Sequence, residues 1–597
     1  MAKSLRNVDV LVIGGGGCGL ALSVMLADRG VDFLTIERHA STSNLPKAHY
    51  LNQRTMEVMR QHKLAADVQA QGTPAYYRSR TKWITSLGGE GPLDRKTLFE
   101  TGALGGHGAA DIIVNLEDSA IDSANLPQMR LEPIIRAHAE ARASGRILFN
   151  HDLSLLEQDS DGVTATIHDR LADETVAVRA KYVVGADGGR TVGPMLGIPM
   201  QGQTKLMSEI TTHFEADLSK YYLDDRVLLN WLKPYERPGI CVLAPMGPGK
   251  WGRHSPEWSF GFGRAPHHPE EITDAFVIGE IRAVLGIPDL AIKVRRISEW
   301  TLEGVLAERY RQGRVLLAGD AAHRHPPTTG LGLNTGIQDA HNLAWKLAMV
   351  TKGLAPDSLL DSYEAERRPI GAYNVEWALN AFFNHILLDM AIVAVHPGHL
   401  AEMQTPEHHK GAFEALLADS PNGRMRRMRL ETVFETQGLE WFAHDIDLGF
   451  VYDSRAIVAD GAPAPARDAM GRRYTPTTRP GHRLPHCWLD DGAKRLSTHD
   501  LVGARDEFVL IAREAGSAWA SAAVRAAEST GVPVRAFVVG RDGDLRDAED
   551  RWRGLSGTEA DGAVIVRPDN IVAWRARSLS NSPERDLEAA LRRVSGR

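Results

Sequence analysis

Gly14-Gly15-Gly16-Gly17-Cys18-Gly19 satisfies the spacing G-x-G-x-x-G, and Glu37 stands 18 residues beyond its last glycine. Glycine at 14, 16 and 19 lets the backbone turn tightly and close on a pyrophosphate, while a helix starting there offers free N–H groups and a positive dipole end. Glu37 lies where an acid accepts hydrogen bonds from the ribose of a dinucleotide. Its carboxylate disfavours a 2′-phosphate, so NADP does not suit this pocket, and FAD and NAD stay open. Further on, Asp187 follows Gly185-Ala186 and Asp320 follows Gly319, each an acid placed behind an apolar run. His49, His323 and His325 add groups whose unperturbed pKa, about 6.5, suits proton transfer.

These residues need elements to hold them. Val8–Ile13 reads as a buried strand, Leu20–Arg29 as a helix closed by Gly30, and Val31–Ile36 as a second strand ending on Glu37. Strand, glycine turn, helix, strand and acid in that order make a Rossmann-like unit of an α/β fold. Tyr182–Gly185 and Arg314–Ala318 are apolar strands ending at the two aspartates. From Asp320 the chain passes through His323-Arg324-His325-Pro326-Pro327 and Gly330-Leu331-Gly332-Leu333-Asn334 into a helix over Thr335–Met349. Residues 200–305 carry short alternating runs separated by proline and glycine, the pattern of an antiparallel sheet. Gly102–Gly108 has no strand leading into it and reads as a loop. No other G-x-G-x-x-G precedes a helix, so no separate nicotinamide domain is expected.

The run from Gly319-Asp320 to Asn334 resembles the flavin-dependent aromatic hydroxylases of the para-hydroxybenzoate hydroxylase fold. Leu45-Pro46-Lys47-Ala48-His49-Tyr50-Leu51-Asn52-Gln53-Arg54-Thr55-Met56-Glu57 is similar to the phenol hydroxylase and 2,4-dichlorophenol 6-monooxygenase branch. The resemblance runs nearly end to end. It implies FAD as cofactor, NADPH or NADH as co-substrate, and O2. It assigns Gly14, Gly16, Gly19, Glu37, Arg38, Lys47, Arg54, Gln128, Asp187, Asp320, Pro327, Gly330, Leu331, Gly332, Leu333 and Asn334 to the cofactor. Lys47 stands where the family usually has arginine, which keeps the charge and loses the bidentate fork. Arg190-Thr191-Val192-Gly193-Pro194 also departs from the family's Ser-x-Val-Arg. The implied reaction is hydroxylation of a phenol-like ring ortho to its hydroxyl through a flavin C4a-hydroperoxide. His49 is the expected catalytic residue, because an imidazole that takes the phenolic proton makes the ring electron-rich. Trp231, Met246 and Phe262 are expected in the substrate pocket, under the sheet that roofs the flavin.

A natural-product hydroxypyridine or polyketide phenol is the alternative substrate. A non-catalytic FAD-binding protein is the alternative of another class; its flavin would not be bleached by NAD(P)H. A halogenase would carry W-x-W-x-I-P, and no W-x-W occurs.

At 597 residues, with 43% hydrophobic and 24% charged residues, the chain suits several globular domains. A net charge of −7 gives no basic footprint for nucleic acid, and no apolar stretch is long enough to span a membrane. Three cysteines make neither a disulfide framework nor a metal site and point to the cytoplasm. His267-His268 and His408-His409 read as surface pairs, not metal ligands. The expected division is an FAD-binding domain over 1–200, with an inserted substrate-domain segment near 75–115, a substrate domain over 200–305, and a second FAD-binding part over 306–375. A helical segment and linker over 376–460 and a thioredoxin-like domain without C-x-x-C over 461–597 complete it. The family resemblance adds a homo-oligomer.

Overall fold

The computed structural model describes residues 3–103, 117–236, 239–264, 271–393 and 405–597. Its central sheet places Val315–Leu317, Glu174–Gly185, Lys3–Ile13, Phe33–Glu37 and Ile147–Phe149 side by side, all parallel. Val10, Leu11 and Val12 are fully buried in succession, as a strand covered on both faces requires. The covering helices are Gly17–Asp28, Gln128–Arg142 and Leu331–Thr351. The first begins three residues earlier than its apolar pattern, because the glycines themselves supply the opening turn. Gly30 takes the left-handed conformation just beyond its end, as read from the sequence.

A second, eight-stranded sheet is built from Lys293–Ala307, Met200–Glu215, Glu257–Arg264, Cys241–Gly247 and Val227–Leu232, antiparallel to one another. Arg80–Ile84, from the early insertion, adds to it beside Val227–Leu232 and is followed by Thr97–Gly102. At the other edge His323–Arg324 pairs with Lys293–Ala307, so the segment directly behind Asp320 joins the two sheets. One face packs Ile210, Phe214, Leu243, Phe260 and Phe262 against the helix Asp274–Leu285. The other face looks towards the glycine loops.

The 33-residue helix Asp361–Val393 follows, then Pro406–Leu417 and Pro421–Thr436, whose N-caps are Thr405 and Ser420. His409 is buried on the inner side of its helix, which corrects the expectation of a surface pair; the apolar neighbours Ala412, Phe413 and Leu416 bring that face into the core. His267-His268 and the glycine-rich stretch 104–108 lie outside the described residues. Among the described residues no helix is long and apolar enough to cross a membrane.

The last 120 residues form a four-stranded sheet in the order Val534–Val539, Phe508–Arg513, Ala563–Val566, Val572–Ala576, with helices Ser517–Thr530 and Pro583–Val594 packed together. Buried ion pairs tie this layer to the rest. Arg483 Nε lies 2.9 Å from Glu57, Arg567 Nη1 2.6 Å from Glu366, and Lys346 Nζ 2.7 Å from the same carboxylate. Burial alone would raise the pKa of Glu57. Arg483, His499 and Arg54 outweigh it and hold the carboxyl well below the usual range.

Candidate active site

The three motifs, distant in sequence, meet at the carboxyl ends of adjacent parallel strands: Ile13 pairs with Gly185 and Gly185 with Leu317. Open parallel sheets bind ligands at that edge. Gly14 has φ +113°, and a Cβ there would stand 2.3 Å from Ala186 O. A Cβ on Gly19 would meet Gly14 O at 1.9 Å, so the helix can approach this loop only without a side chain. Gly319 rests on Cys18, Gly189 on Arg324 and Asp320 O, and Leu333 reaches over Gly17. One cleft therefore gathers residues 14–19, 187–189, 319–320 and 330–333.

Its polar groups are set out for a ligand. Glu37 holds its own motif, accepting the N–H of Gly15 at 2.8 Å and that of His39 at 2.9 Å. Asp187 Oδ2 accepts from Thr191 and Val192, which leaves Oδ1 buried without a partner. Asp320 is exposed, and among the described residues no hydrogen bond reaches its carboxylate. Gly330, at φ +64°, starts the helix Leu331–Thr351, and no side chain caps its first N–H groups. Thr329 beside it is held at φ +70°, a strain worth about 1–3 kcal/mol for a non-glycine residue. A glycine cradle closed to side chains, an orphaned Asp187 oxygen, an unpartnered Asp320 and a bare helix start fit the pyrophosphate, ribitol and polar ring edge of FAD.

His49 lies half-buried on the neighbouring segment. Its Nδ1 is 2.5 Å from Asn125 Oδ1, and Asn125 Nδ2 donates to Thr73 Oγ1 at 2.9 Å. The carboxamide so oriented makes Nδ1 the donor and leaves Nε2 as the acceptor. Burial pushes the imidazole pKa below its ordinary value, with the Asn125 hydrogen bond opposing. The ring is thus neutral at pH 7. Tyr50, the next residue, packs its ring against Gly330. Asn334 donates to Tyr50 O at 2.9 Å and accepts the Asn52 N–H at 3.0 Å, which pins the His49 segment to the glycine loop.

Opposite stands the inner face of the second sheet. Along Cys241–Pro245 fully buried residues alternate with the half-buried Val242 and Ala244, and the inward side these share with Trp231 and Tyr50, between sheet and cleft, is the candidate substrate hollow. Trp231 pairs with Val242 and lies 4.7 Å, ring to ring, from His385, which contacts Glu440 at 2.8 Å. Arg130 donates to Met246 O and, at 2.6 Å, to Glu257, joining the sheet to the helix that begins at Gln128.

Residues 7–378 match the family model of the FAD binding domain, and residues 477–597 that of the aromatic-ring hydroxylase C-terminal domain. The chain belongs to the FAD-dependent aromatic-ring hydroxylases. It is 35% identical, over 98% of either chain, to 2,4-dichlorophenol 6-monooxygenase of Delftia acidovorans. It is equally similar to tetracenomycin A2 monooxygenase-dioxygenase of Streptomyces glaucescens, over 100% of this chain and 98% of that one. The flavin-dependent monooxygenase PieE, solved with FAD and substrate, superposes with a TM-score of 0.91 at 35% identity over the whole of both chains. Aklavinone-11 hydroxylase with FAD and aklavinone gives 0.77 at 31%, again over all of both chains. The protein is therefore a flavoprotein monooxygenase that uses FAD, with NAD(P)H and O2 as its class requires.

In this aromatic-ring hydroxylase most residues expected at the cofactor gather at the cleft, and three expectations change. Arg54 is turned away into the buried ion-pair layer. Its guanidinium is 2.6 Å from Asp569 O and 3.1 Å from Glu57, because the helix Gln53–Gln61 presents that side to the C-terminal domain. Asn334 spends its amide on Tyr50 O and Gly330 O and acts as a brace. Phe262 points away from the hollow: its strand puts 258, 260 and 262 on the helix side, and it packs in that core with Phe260 and Phe276. Trp231 keeps the inward parity, and Met246 lies buried at the register shift between Pro245 and Gly247. Lys47 is exposed with φ +46°, Arg38 is half-buried, Pro327 is exposed at the cleft, and Gln128 Nε2 donates to Glu132 at 2.6 Å. Glu132 itself was missed. Buried, it accepts the N–H of Gly17 at 3.0 Å and of Ser43 at 2.8 Å, and so fixes the start of the first helix. Its signal was the i, i+4 spacing from Gln128 on one helix face.

Proposed function

We propose that the protein hydroxylates a phenol-like aromatic ring ortho to its hydroxyl, as 2,4-dichlorophenol 6-monooxygenase does by its name, with His49 as the catalytic base. The observation that carries this is a neutral imidazole, oriented by Asn125, on a segment tied through Asn334 to the glycine loop beside the cofactor. Bound FAD supplies the redox chemistry, taking reducing equivalents from NADPH or NADH and delivering one oxygen atom of O2. His49 Nε2 accepts the phenolic proton and so raises the electron density of the ring. Gly14, Gly16 and Gly19 admit the pyrophosphate, Glu37 and Asp320 hold the ribose and ribitol hydroxyls, and the N–H groups of Leu331, Gly332 and Leu333 face the polar edge of the ring system. Gln128, Asp187, Arg38, Lys47 and Pro327 line the remainder. Trp231 and Met246 wall the substrate and keep water out.

One observation favours a larger ring system, a polyketide phenol or a hydroxypyridine. Trp83, Trp231 and Trp441 gather in one aromatic cluster beside Val242, an extended apolar wall that suits a substrate of several rings. The strand order and paired helices of the C-terminal domain support a thioredoxin-like fold whose single Cys487 is buried, which suits a structural role in a homo-oligomer. Free cysteines at 18, 241 and 487 support a cytoplasmic setting.

The test is NAD(P)H oxidation by the yellow holoenzyme with 2,4-dichlorophenol, followed by mass analysis. A product heavier by one oxygen is the expected result. H2O2 as the only product moves the substrate to the larger class, and flavin that NAD(P)H does not reduce overturns the reading.

A further inference from the structure

Glu209 lies on the inner face of the second sheet, on the strand Met200–Glu215. Its register runs Glu209 to Gly263 and Thr211 to Gly261 on one neighbour, and Glu209 to Trp300 on the other. Gly261 leaves a gap in the wall that the carboxyl of Glu209 fills: a Cβ there would stand 2.7 Å from Glu209 Oε1 and 3.1 Å from Val242 Cγ1. Val242 is the cross-strand partner of Trp231. Glu209, Gly261, Val242 and Trp231 thus form a row across the hollow, with Tyr50 in the cluster at its far end.

Among the described residues Glu209 makes no hydrogen bond and no ion pair. The titratable and charged groups around the hollow are His213 with Glu257 and Arg130, Arg296 beside His213, His385 with Glu440, and His49; all lie elsewhere along it. Met207, Thr211, Gly261, Gly263, Ser298 and Trp300, its nearest inward neighbours, carry no charge. A buried setting with no cation beside it favours the protonated acid, and burial pushes this carboxyl up to about 8. A carboxylic acid held in that form is a hydrogen-bond donor, here on the inner face of the sheet beside Gly261.

We propose that Glu209 is a specificity-determining residue, donating a hydrogen bond from its carboxyl to a second acceptor atom of the substrate, a carbonyl oxygen or ring nitrogen remote from the hydroxyl that faces His49. The substrate class is then a phenolic ketone, quinone or aza-arene of at least two rings' length, in preference to a simple halophenol. This rests on the hydroxylase reading above and deepens it.

A matched pair of probes separates the two. 5-Hydroxy-1-tetralone and 5,6,7,8-tetrahydro-1-naphthol share one skeleton and differ by the carbonyl. Dissociation constants are read from the perturbation of the flavin spectrum of the oxidised holoenzyme, without turnover. At pH 6.5 the wild type is expected to prefer the ketone about tenfold, the worth of one buried hydrogen bond. Glu209→Gln, whose amide still donates, keeps the preference, and Glu209→Leu removes it while binding the naphthol unchanged. In the wild type the preference fades as pH rises through the ionisation of Glu209, and in Glu209→Gln it stays flat. Equal binding of both probes by the wild type at pH 6.5 overturns the proposal and leaves the hydroxylase reading standing, and so does an undiminished preference in Glu209→Leu. Should Glu209→Leu fail to fold, the wild-type pH series decides alone. If neither phenol perturbs the flavin, the hydroxylase reading falls and this proposal with it.

Discussion

The cofactor cleft and the substrate hollow face each other across the same site, yet they are made in opposite ways. The cleft is backbone. Gly14, Gly19, Gly319 and Gly330 matter because a Cβ would collide or because the chain turns left-handed there, and the ligand is met by N–H groups at helix starts. The hollow is side chain. It is walled by alternate residues of an antiparallel sheet, so which residues line it depends on strand parity and on which face looks inwards. A backbone site tolerates no substitution and a parity site tolerates many, which is why one cofactor serves many aromatic substrates across such a family.

That contrast can be broken at either end. Gly19→Ala should lose FAD altogether, because its methyl would stand 1.9 Å from a carbonyl oxygen that cannot move without the loop. Flavin absorbance after purification measures this, and a yellow, fully loaded variant would show that the loop has slack. His49→Ala should keep FAD and lower kcat/KM by about 10²–10⁴, the usual worth of a positioned base. Because burial lowers the His49 pKa and the neutral form is the acceptor, wild-type kcat/KM should rise with pH through a limb below about 6.5 and be flat above it. An acid limb that survives in His49→Ala belongs to another group.

Phe262 and Trp231 sharpen the comparison, since they sit on opposite faces of one sheet. Phe262→Ala should cost about 3–5 kcal/mol of stability as a core cavity, with KM unchanged for the aromatic substrate. Thermal melts and kinetics at a temperature where the variant is folded separate the two effects. Trp231→Ala should do the reverse, raising KM about 2- to 12-fold from the loss of about 0.5–1.5 kcal/mol of aromatic contact, with a smaller change in Tm. If Phe262→Ala changes KM more than Trp231→Ala does, the faces are wrongly assigned. Lys47→Arg, at an exposed position, should change FAD affinity least of all.

The amino-acid sequence by itself determined the Rossmann-like unit, the two further strand-Gly-Asp motifs and the alternating sheet, because each is a local pattern: a period, a glycine at a turn, an acid at a strand end. It could also name His49, from the type and place of the residue. Tertiary structure alone decided what each side chain faces. Arg54 looked like a cofactor ligand and is an interdomain tether to Asp569, 515 positions away, steadied by Glu57 on its own helix. Glu132 looked unremarked and holds the first helix. Phe262 and Trp231 looked alike and were parted by strand parity across an eight-stranded sheet assembled from distant segments. The physical reason is the same each time. Local chemistry is written in consecutive residues, whereas register, facing and ion pairing are fixed only when distant segments compete for one interior.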